Sequence, residues 1–277
     1  MIDAVYNTKV DDGRVARVSS LVSTAFGGPL KDSEEWVRSQ GLSDIRTVER
    51  AGDGRVDACL RRIEMGQFYG GRSVPMVGIA GVAVAPEARG GGLARWMMQK
   101  ALEEMFEKGE PLSALYASTQ PLYRQVGYEQ AGHRMSFTVP MAEIDLRERG
   151  GKADGHSWET VELEAIGRLH APYRAFAARF DGMLDRGTYV WKRKFDMRGQ
   201  KGVAYASVSG AEIDAYAVVM QKRKDSGRMT VELSDLAFTD AAAGRRLLGM
   251  LHDYASMADE LVFYGGPNHP LLHLLGQ

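Results

Sequence analysis

The stretch Val77-Gly-Ile-Ala-Gly-Val-Ala-Val84 restricts this chain more than any other. It is almost wholly apolar, as expected of a strand covered by protein on both faces, and Pro86 ends it. A helix follows almost at once. From Leu93 to Lys108 the apolar residues fall into adjacent rows, Leu93, Met97, Ala101 and Met105 beside Ala94, Met98, Leu102 and Phe106. Arg95, Gln99, Glu103, Glu104 and Glu107 fill the opposite face, and Gly109-Glu110-Pro111 stops the helix. A buried strand feeding an amphipathic helix is an α/β arrangement, or α+β if the strands are mixed in direction.

The remaining pattern extends that reading in both directions. Val15, Val18, Val22 and Phe26 mark a first helix after Asp11-Asp12-Gly13, and Ser33 to Arg38 a short second one. Arg46–Ala51, Arg55–Phe68 and Pro75–Ala85 read as strands, the first two joined by a hairpin at Asp53-Gly54 and the last two by a longer loop at 70–73. Leu112 to Ala117 is a short buried strand, and Pro121 to Gln125 begins a helix or turn. The glycine-rich, charged run 148–155 reads as a linker, which divides the chain into domains 1–147 and 148–277. Beyond it come a helix over Glu162–Phe180, strands at Gly202–Val208, Glu212–Gln221 and Met229–Phe238, a helix over Asp240–Met257 and a last strand at Glu260–Tyr264. The second half thus repeats the layout of the first without its residue identities: Gly81–Ala94 aligns loosely with Ser234–Leu248.

Composition closes off several function classes. With 35 Lys and Arg against 36 Asp and Glu, a net charge of -1 does not describe a dedicated nucleic-acid binder. Cys59 is the single cysteine, so there is no intrachain disulfide, and the histidines lack metal-ligand spacing, so no metal is expected. The N-terminal residues lack a signal-peptide pattern and no run is apolar and long enough to span a membrane, which makes the cytoplasm the default location. Lys192-Arg193-Lys194 reads as a solvated face.

The chemistry sits where the apolar strand meets the helix. In Val82-Ala83-Val84-Ala-Pro-Glu-Ala-Arg89-Gly90-Gly91-Gly92-Leu93-Ala94, free backbone N–H groups and the positive end of a helix dipole converge on one place. That is a natural diphosphate site: the glycines let backbone approach the phosphates, and Arg89 adds charge-assisted hydrogen bonds. A P-loop would need a Gly-Lys-Ser/Thr ending, and a Rossmann site Gly-x-Gly-x-x-Gly; neither is present. A tight strand-helix corner with no ligand remains the plain alternative.

Arg89-x-x-Gly92-x-Ala94 after a strand ending Val-x-Val-x-Pro resembles the acetyl-CoA pyrophosphate loop of the GNAT acetyltransferase superfamily. The run Leu115 to Tyr128, a short strand, then a helix, then Tyr123-x-x-x-Gly127-Tyr128, resembles a second element of that superfamily in the right order. The layout is similar to that of the enhanced-intracellular-survival (Eis) group, in which a catalytic GNAT domain is followed by a degenerate one. The resemblance implies two tandem GNAT-like domains, each a mixed twisted sheet flanked by helices. It implies that the backbone of Val82, Ala83 and Val84 holds the pantetheine arm, that Arg89, Gly90, Gly91, Gly92, Leu93 and Ala94 hold the diphosphate, that Ser118 lies beside the cofactor, and that Tyr123 is the general acid. Members of the group carry a third, sterol-carrier-like domain that supplies a base, and they assemble as homo-oligomers. This chain ends at Gln277, ahead of any such domain.

The reaction so implied is acetyl transfer from acetyl-CoA to a primary amine. A neutral amine must attack, an N–H at Val82 would hold the oxyanion, and Tyr123 would protonate the departing thiolate. Without the motif Tyr123 would read as a core aromatic, Tyr128 reads as packing, and His133 is a poor base. Trp36, with Asp32, Glu34 and Glu35, would form an aromatic, acidic rim suited to a cationic amine, although acids at a helix start also serve its dipole. The alternative function is a non-catalytic acyl-CoA-binding or sensor protein of the same fold.

Overall fold

The computed structural model describes residues 2–39, 41–144, 155–197 and 199–275. They divide into two compact units, Met1–Gln67 with Ser73–Gln130, and Phe68–Arg72 with Ala131–Gln277.

In the first unit the order is β1 (Ala4–Asn7), α1 (Asp12–Phe26), α2 (Leu30–Arg38), β2 (Ile45–Arg50), β3 (Val56–Tyr69), β4 (Arg72–Val84), α3 (Leu93–Glu107), β5 (Leu112–Leu115) and α4 (Gln120–Arg124). The strands follow one another across the sheet, β1-β2-β3-β4-β5. β2 is antiparallel to both β1 and β3, whereas β5 returns parallel to β4 after the α3 crossover. Val15, Val18, Leu21 and Val22 of α1 cover one face of this sheet with Val37, Ile45, Val56, Cys59, Ala83 and Ala85. Met97, Met98, Ala101 and Met105 of α3 cover the other with Val48, Ala58, Leu60, Val77 and Ile79. Cover on both faces explains the unbroken apolar run in β4.

That run hides a change of phase. Val77 and Ile79 face α3, but so do Val82 and Val84, while Ala83 and Ala85 face α1. The side-chain alternation slips by one residue at Gly81, whose φ of 59 makes it a bulge that glycine adopts without strain. The pairing of β4 with β5 runs from Met76↔Leu112 to Ile79↔Leu115. Beyond it β4 continues to Val84 with no strand on that edge among the described residues.

Several expectations are corrected here. Residues 70–73 are not a long loop: Gly70 and Gly71 have φ of 54 and 75, a tight turn that joins β3 directly to β4. β1 was not expected, being a short edge strand with little alternation to read. β5 is shorter than Leu112–Ala117 and half-exposed rather than buried. Glu104, placed by its spacing on the solvent face of α3, is buried: it takes bidentate hydrogen bonds from Arg46 at 2.7 and 2.8 Å, one from Arg62 at 3.0 Å and one from Tyr6 at 2.9 Å.

The second unit contains β6 (Met135–Pro140), β7 (Ser157–Val161), a 3-10 stretch at Leu163–Leu169, α5 (His170–Ala177), β8 (Leu184–Asp185), α6 (Thr188–Phe195), β9 (Asp196–Met197), β10 (Gln200–Lys201), β11 (Val203–Ser209), β12 (Glu212–Arg223), β13 (Met229–Phe238), α7 (Ala241–His252) and β14 (Ala258–Gly265). Its sheet runs β6-β14-β13-β12-β11-β7. β13 and β14 are parallel across α7, as β4 and β5 are across α3, so the repeated layout is present. The boundary moves from 147/148 to 130/131, because β6 pairs with β14 from Met135↔Gly265 to Pro140↔Glu260. The linker run 148–155, apart from Gly155, lies outside the described residues. The hairpin tip joins this unit through the Phe68 amide, which donates to the Met183 carbonyl at 2.8 Å. Lys194 is not on a solvated face: its ammonium donates to the Ser234 carbonyl at 3.1 Å, and burial pushes its pKa down to about 8.

Candidate active site

α3 starts with Gly92 as its N-cap at φ 79, and no side chain caps it. The first bond of its ladder runs from the Trp96 amide to the Gly92 carbonyl at 3.0 Å, so the amides of Leu93, Ala94 and Arg95 have no partner within the helix. Gly90 is also left-handed, at φ 84, while Gly91 is not. A Cβ on any of the three would meet nothing within 4 Å. Uncapped amides, the positive end of the dipole and open space thus meet at the end of β4, a chemically suitable cradle for a diphosphate. Arg89 is exposed beside it, and its Nε donates back to the Val84 carbonyl at 3.1 Å.

Ala83 points its side chain into the core against α1, so only its backbone is available to a ligand. Val82 and Val84 are half-buried on the α3 side. Ser118 is exposed, between the end of β5 and α4.

Tyr123 lies on α4, buried in the same core cluster that Val82, Val84, Leu93 and Leu115 pack against. Its ring meets Tyr128 edge-on, with centroids 6.1 Å apart at 74°. No hydrogen bond to its hydroxyl is found among the described residues, and burial pushes its pKa above the usual tyrosine value. Tyr128 is anchored instead: its hydroxyl is 2.5 Å from that of Ser113, which donates to the Val77 carbonyl at 3.0 Å. His133 is exposed.

Trp36 is half-buried and lies against the Gly81 bulge. The acids near it on α2 are exposed, Glu34 pairing with Arg38 at 3.1 Å and Glu35 with Lys31 at 4.0 Å. Arg61, which sequence reasoning passed over, stacks on the Trp36 ring at 4.5 Å. Its signal was an arginine pair, Arg61-Arg62, flanked by the apolar residues Leu60 and Ile63 within a strand. Cys59 is inert: burial pushes its thiol up to about 12. Among the described residues no group of three or more His, Cys, Asp or Glu could hold a metal ion, and no helix is long and apolar enough to cross a membrane.

Comparison with known proteins places the chain in a family. A family profile described as Acetyltransferase (GNAT) domain matches residues 8–131, and a second of the same description matches 182–277. An uncharacterized N-acetyltransferase of Streptomyces avermitilis is 30% identical over 243 residues, 83% of this chain and 59% of that protein. N-acetyltransferase Eis of Mycobacterium tuberculosis is 27% identical over 208 residues, 73% of this chain and 50% of that one. The crystal structure of a GCN5-related N-acetyltransferase from Anabaena variabilis superposes with a TM-score of 0.90 at 27% identity, over 99% of this chain and 69% of that one. The chain spans between 43% and 62% of the length of the Streptomyces relatives it matches. With one acetyltransferase domain in each half and a parallel strand pair bridged by a helix in both, the chain belongs to the GNAT acetyltransferase superfamily, in its Eis-like tandem group.

Proposed function

We propose that the first unit transfers acetyl from acetyl-CoA to a primary amine by direct attack in a ternary complex. The observation that carries this reading is the uncapped, glycine-led N-terminus of α3 at the end of a strand that outruns its neighbour. The amides of Leu93 and Ala94, with Arg89, would hold the diphosphate; the edge of β4 from Val84 to Val82 would hold the pantetheine arm as an added strand would. The Val82 N–H would face the oxyanion as the amine nitrogen bonds to the carbonyl carbon and the carbon–sulfur bond breaks. Tyr123 would give its proton to the departing sulfur. A phenol of raised pKa keeps that proton throughout the neutral range; the thiol, of pKa about 8.5, is the stronger acid, so the transfer is completed when the tyrosinate takes back a proton from solvent. The attacking amine must lose a proton to solvent or to a base outside this site. Ser118 would border the arm, and Trp36 the reacting end. The acceptor is a small-molecule or lysine amine, and a homo-oligomer is the expected assembly.

Gly91 gives the sharpest test. Its φ is not left-handed and nothing stands within 4 Å of its missing Cβ, so a side chain there does not strain the protein. Gly91→Trp should keep a native circular dichroism spectrum and lose at least about a hundredfold in acetyl-CoA affinity by calorimetry, because the indole fills the phosphate cradle. Unchanged affinity would remove the cradle from the site. Thiol release in the presence of an amine panel separates turnover from binding alone.

A further inference from the structure

The Trp36 indole lies over β4 at the residue before the proposed oxyanion donor. A Cβ added to Gly81 would stand 2.3 Å from Cη2 of Trp36, 3.0 Å from Cζ3 and 3.2 Å from Cζ2. The benzene edge of the ring therefore presses on the bulge itself. The ring is also held from its face. Arg61 on β3 is fully buried, with its guanidinium carbon 4.5 Å from the ring centroid. Nη2 of Arg61 donates to the carbonyls of Trp36 at 2.8 Å and Val37 at 2.6 Å. Those carbonyls belong to the last turn of α2, where the helix ladder runs out, and the Ser39 hydroxyl also donates to that of Trp36 at 2.9 Å. A planar guanidinium can stack and cap at once; a lysine ammonium cannot. Trp36 is a fixed wall, not a rim residue free to swing aside.

We propose that Trp36, held by Arg61, restricts the acyl group to short chains. This rests on the reading above, in which the pantetheine arm runs along β4 from the α3 loop towards Val82. Followed in that direction, whatever extends past the thioester carbon reaches Gly81 next, and there the indole already occupies the space. An acetyl group adds one methyl beyond its carbonyl. A butyryl or hexanoyl chain has to displace a ring pinned by a buried arginine. Trp36 is thus the specificity-determining residue and Arg61 a positioning residue that acts through it.

Calorimetry with acetyl-CoA, butyryl-CoA and hexanoyl-CoA tests this without an acceptor. The wild-type protein should bind acetyl-CoA at least about tenfold more tightly than hexanoyl-CoA, and Trp36→Ala should bring the two within about threefold. Trp36→Phe should restore most of the preference. Arg61→Lys should weaken the preference although the indole is still present, a change that lost packing alone, which lowers Tm without sorting chain lengths, does not produce. A folded Trp36→Ala protein that binds acetyl-CoA with the wild-type preference overturns the proposal, as does a wild-type protein that binds both ligands equally. If no acyl-CoA binds the wild-type protein, the acetyltransferase reading itself falls. Should Arg61→Lys fail to fold, the two Trp36 variants decide.

Discussion

Tyr123 and Tyr128 meet edge to face, and their hydroxyls differ in what they touch. The Tyr128 hydroxyl is spent on Ser113, within a chain of bonds that ends on the Val77 carbonyl. The Tyr123 hydroxyl is spent on nothing among the described residues, and its burial holds the proton on. Tyr123→Phe should therefore lower kcat by about 10²-fold with little change in KM for acetyl-CoA, measured as thiol release. Tyr128→Phe should cost about 1 kcal/mol of stability and leave kcat within a few fold. Full turnover in the Tyr123 variant would take that residue out of the mechanism. Both tyrosines were legible in the Tyr-x-x-x-Gly-Tyr run, because the run fixes which residues fall beside the strand end. Arg61 was not, since its role depends on α2 and β3 meeting, and no local spacing encodes that contact.

The two strand-helix corners of the molecule have the same layout and opposite chemistry. In the first unit α3 begins on a bare glycine. In the second, Asp240 caps α7, its carboxylate accepting from the Ala243 amide at 2.9 Å, which sets a negative charge where a phosphate would bind. The strands differ likewise. β12 and β13 shift register opposite Ser234, the residue loosely aligned with Gly81, and there Lys194 donates to the Ser234 carbonyl while the Ser234 hydroxyl donates to the Lys194 carbonyl at 2.5 Å. The next residue, Asp235, is held by Arg186 at 2.5 and 2.6 Å and by the Tyr216 hydroxyl at 2.7 Å. The second corner is filled by its own side chains, so we expect one acetyl-CoA per chain by calorimetry; a stoichiometry of two would contradict this. Asp240→Ala should lower the stability of the second unit by about 1 kcal/mol through the lost cap, read from hydrogen exchange in α7. Helices and long strands were legible because their periodicity is local. β6 and β7 were not: they are short, and β6 is placed by pairing with β14 at the far end of the unit. Glu104 was misread because periodicity reports which face a residue is on, not whether arginines from β2 and β3 arrive to neutralise it.

Over the whole molecule, His269 in the second unit and Glu104 in the first are two of the described acid-sensitive groups, and their pH windows are separate. In the second unit, Nδ1 of His269 accepts from the Leu271 amide at 3.2 Å, which only a neutral imidazole can do, and burial pushes its pKa down to about 4. The folded value lies below the ordinary ~6.5, so the contribution is complete above that pH and is lost as pH falls towards 4. In the first unit, burial alone would raise the pKa of Glu104. Hydrogen bonds from Arg46, Lys108 and Tyr6 outweigh it and pull the carboxyl down to about 2. Its contribution is complete above about 4.3 and is lost only as pH falls through 2. On acidification from pH 7.5, hydrogen exchange resolved by peptide should therefore show protection falling first around His269 and β14, between pH 6.5 and 4, with α3 and β3 holding until lower pH. His269→Asn keeps an acceptor for the Leu271 amide but cannot titrate in this range, and should flatten the first step; Glu104→Gln should weaken the first unit at neutral pH and flatten the second. Loss of protection in both units at the same pH, or an unaltered first step in His269→Asn, would refute the assignment of the two windows to these two side chains.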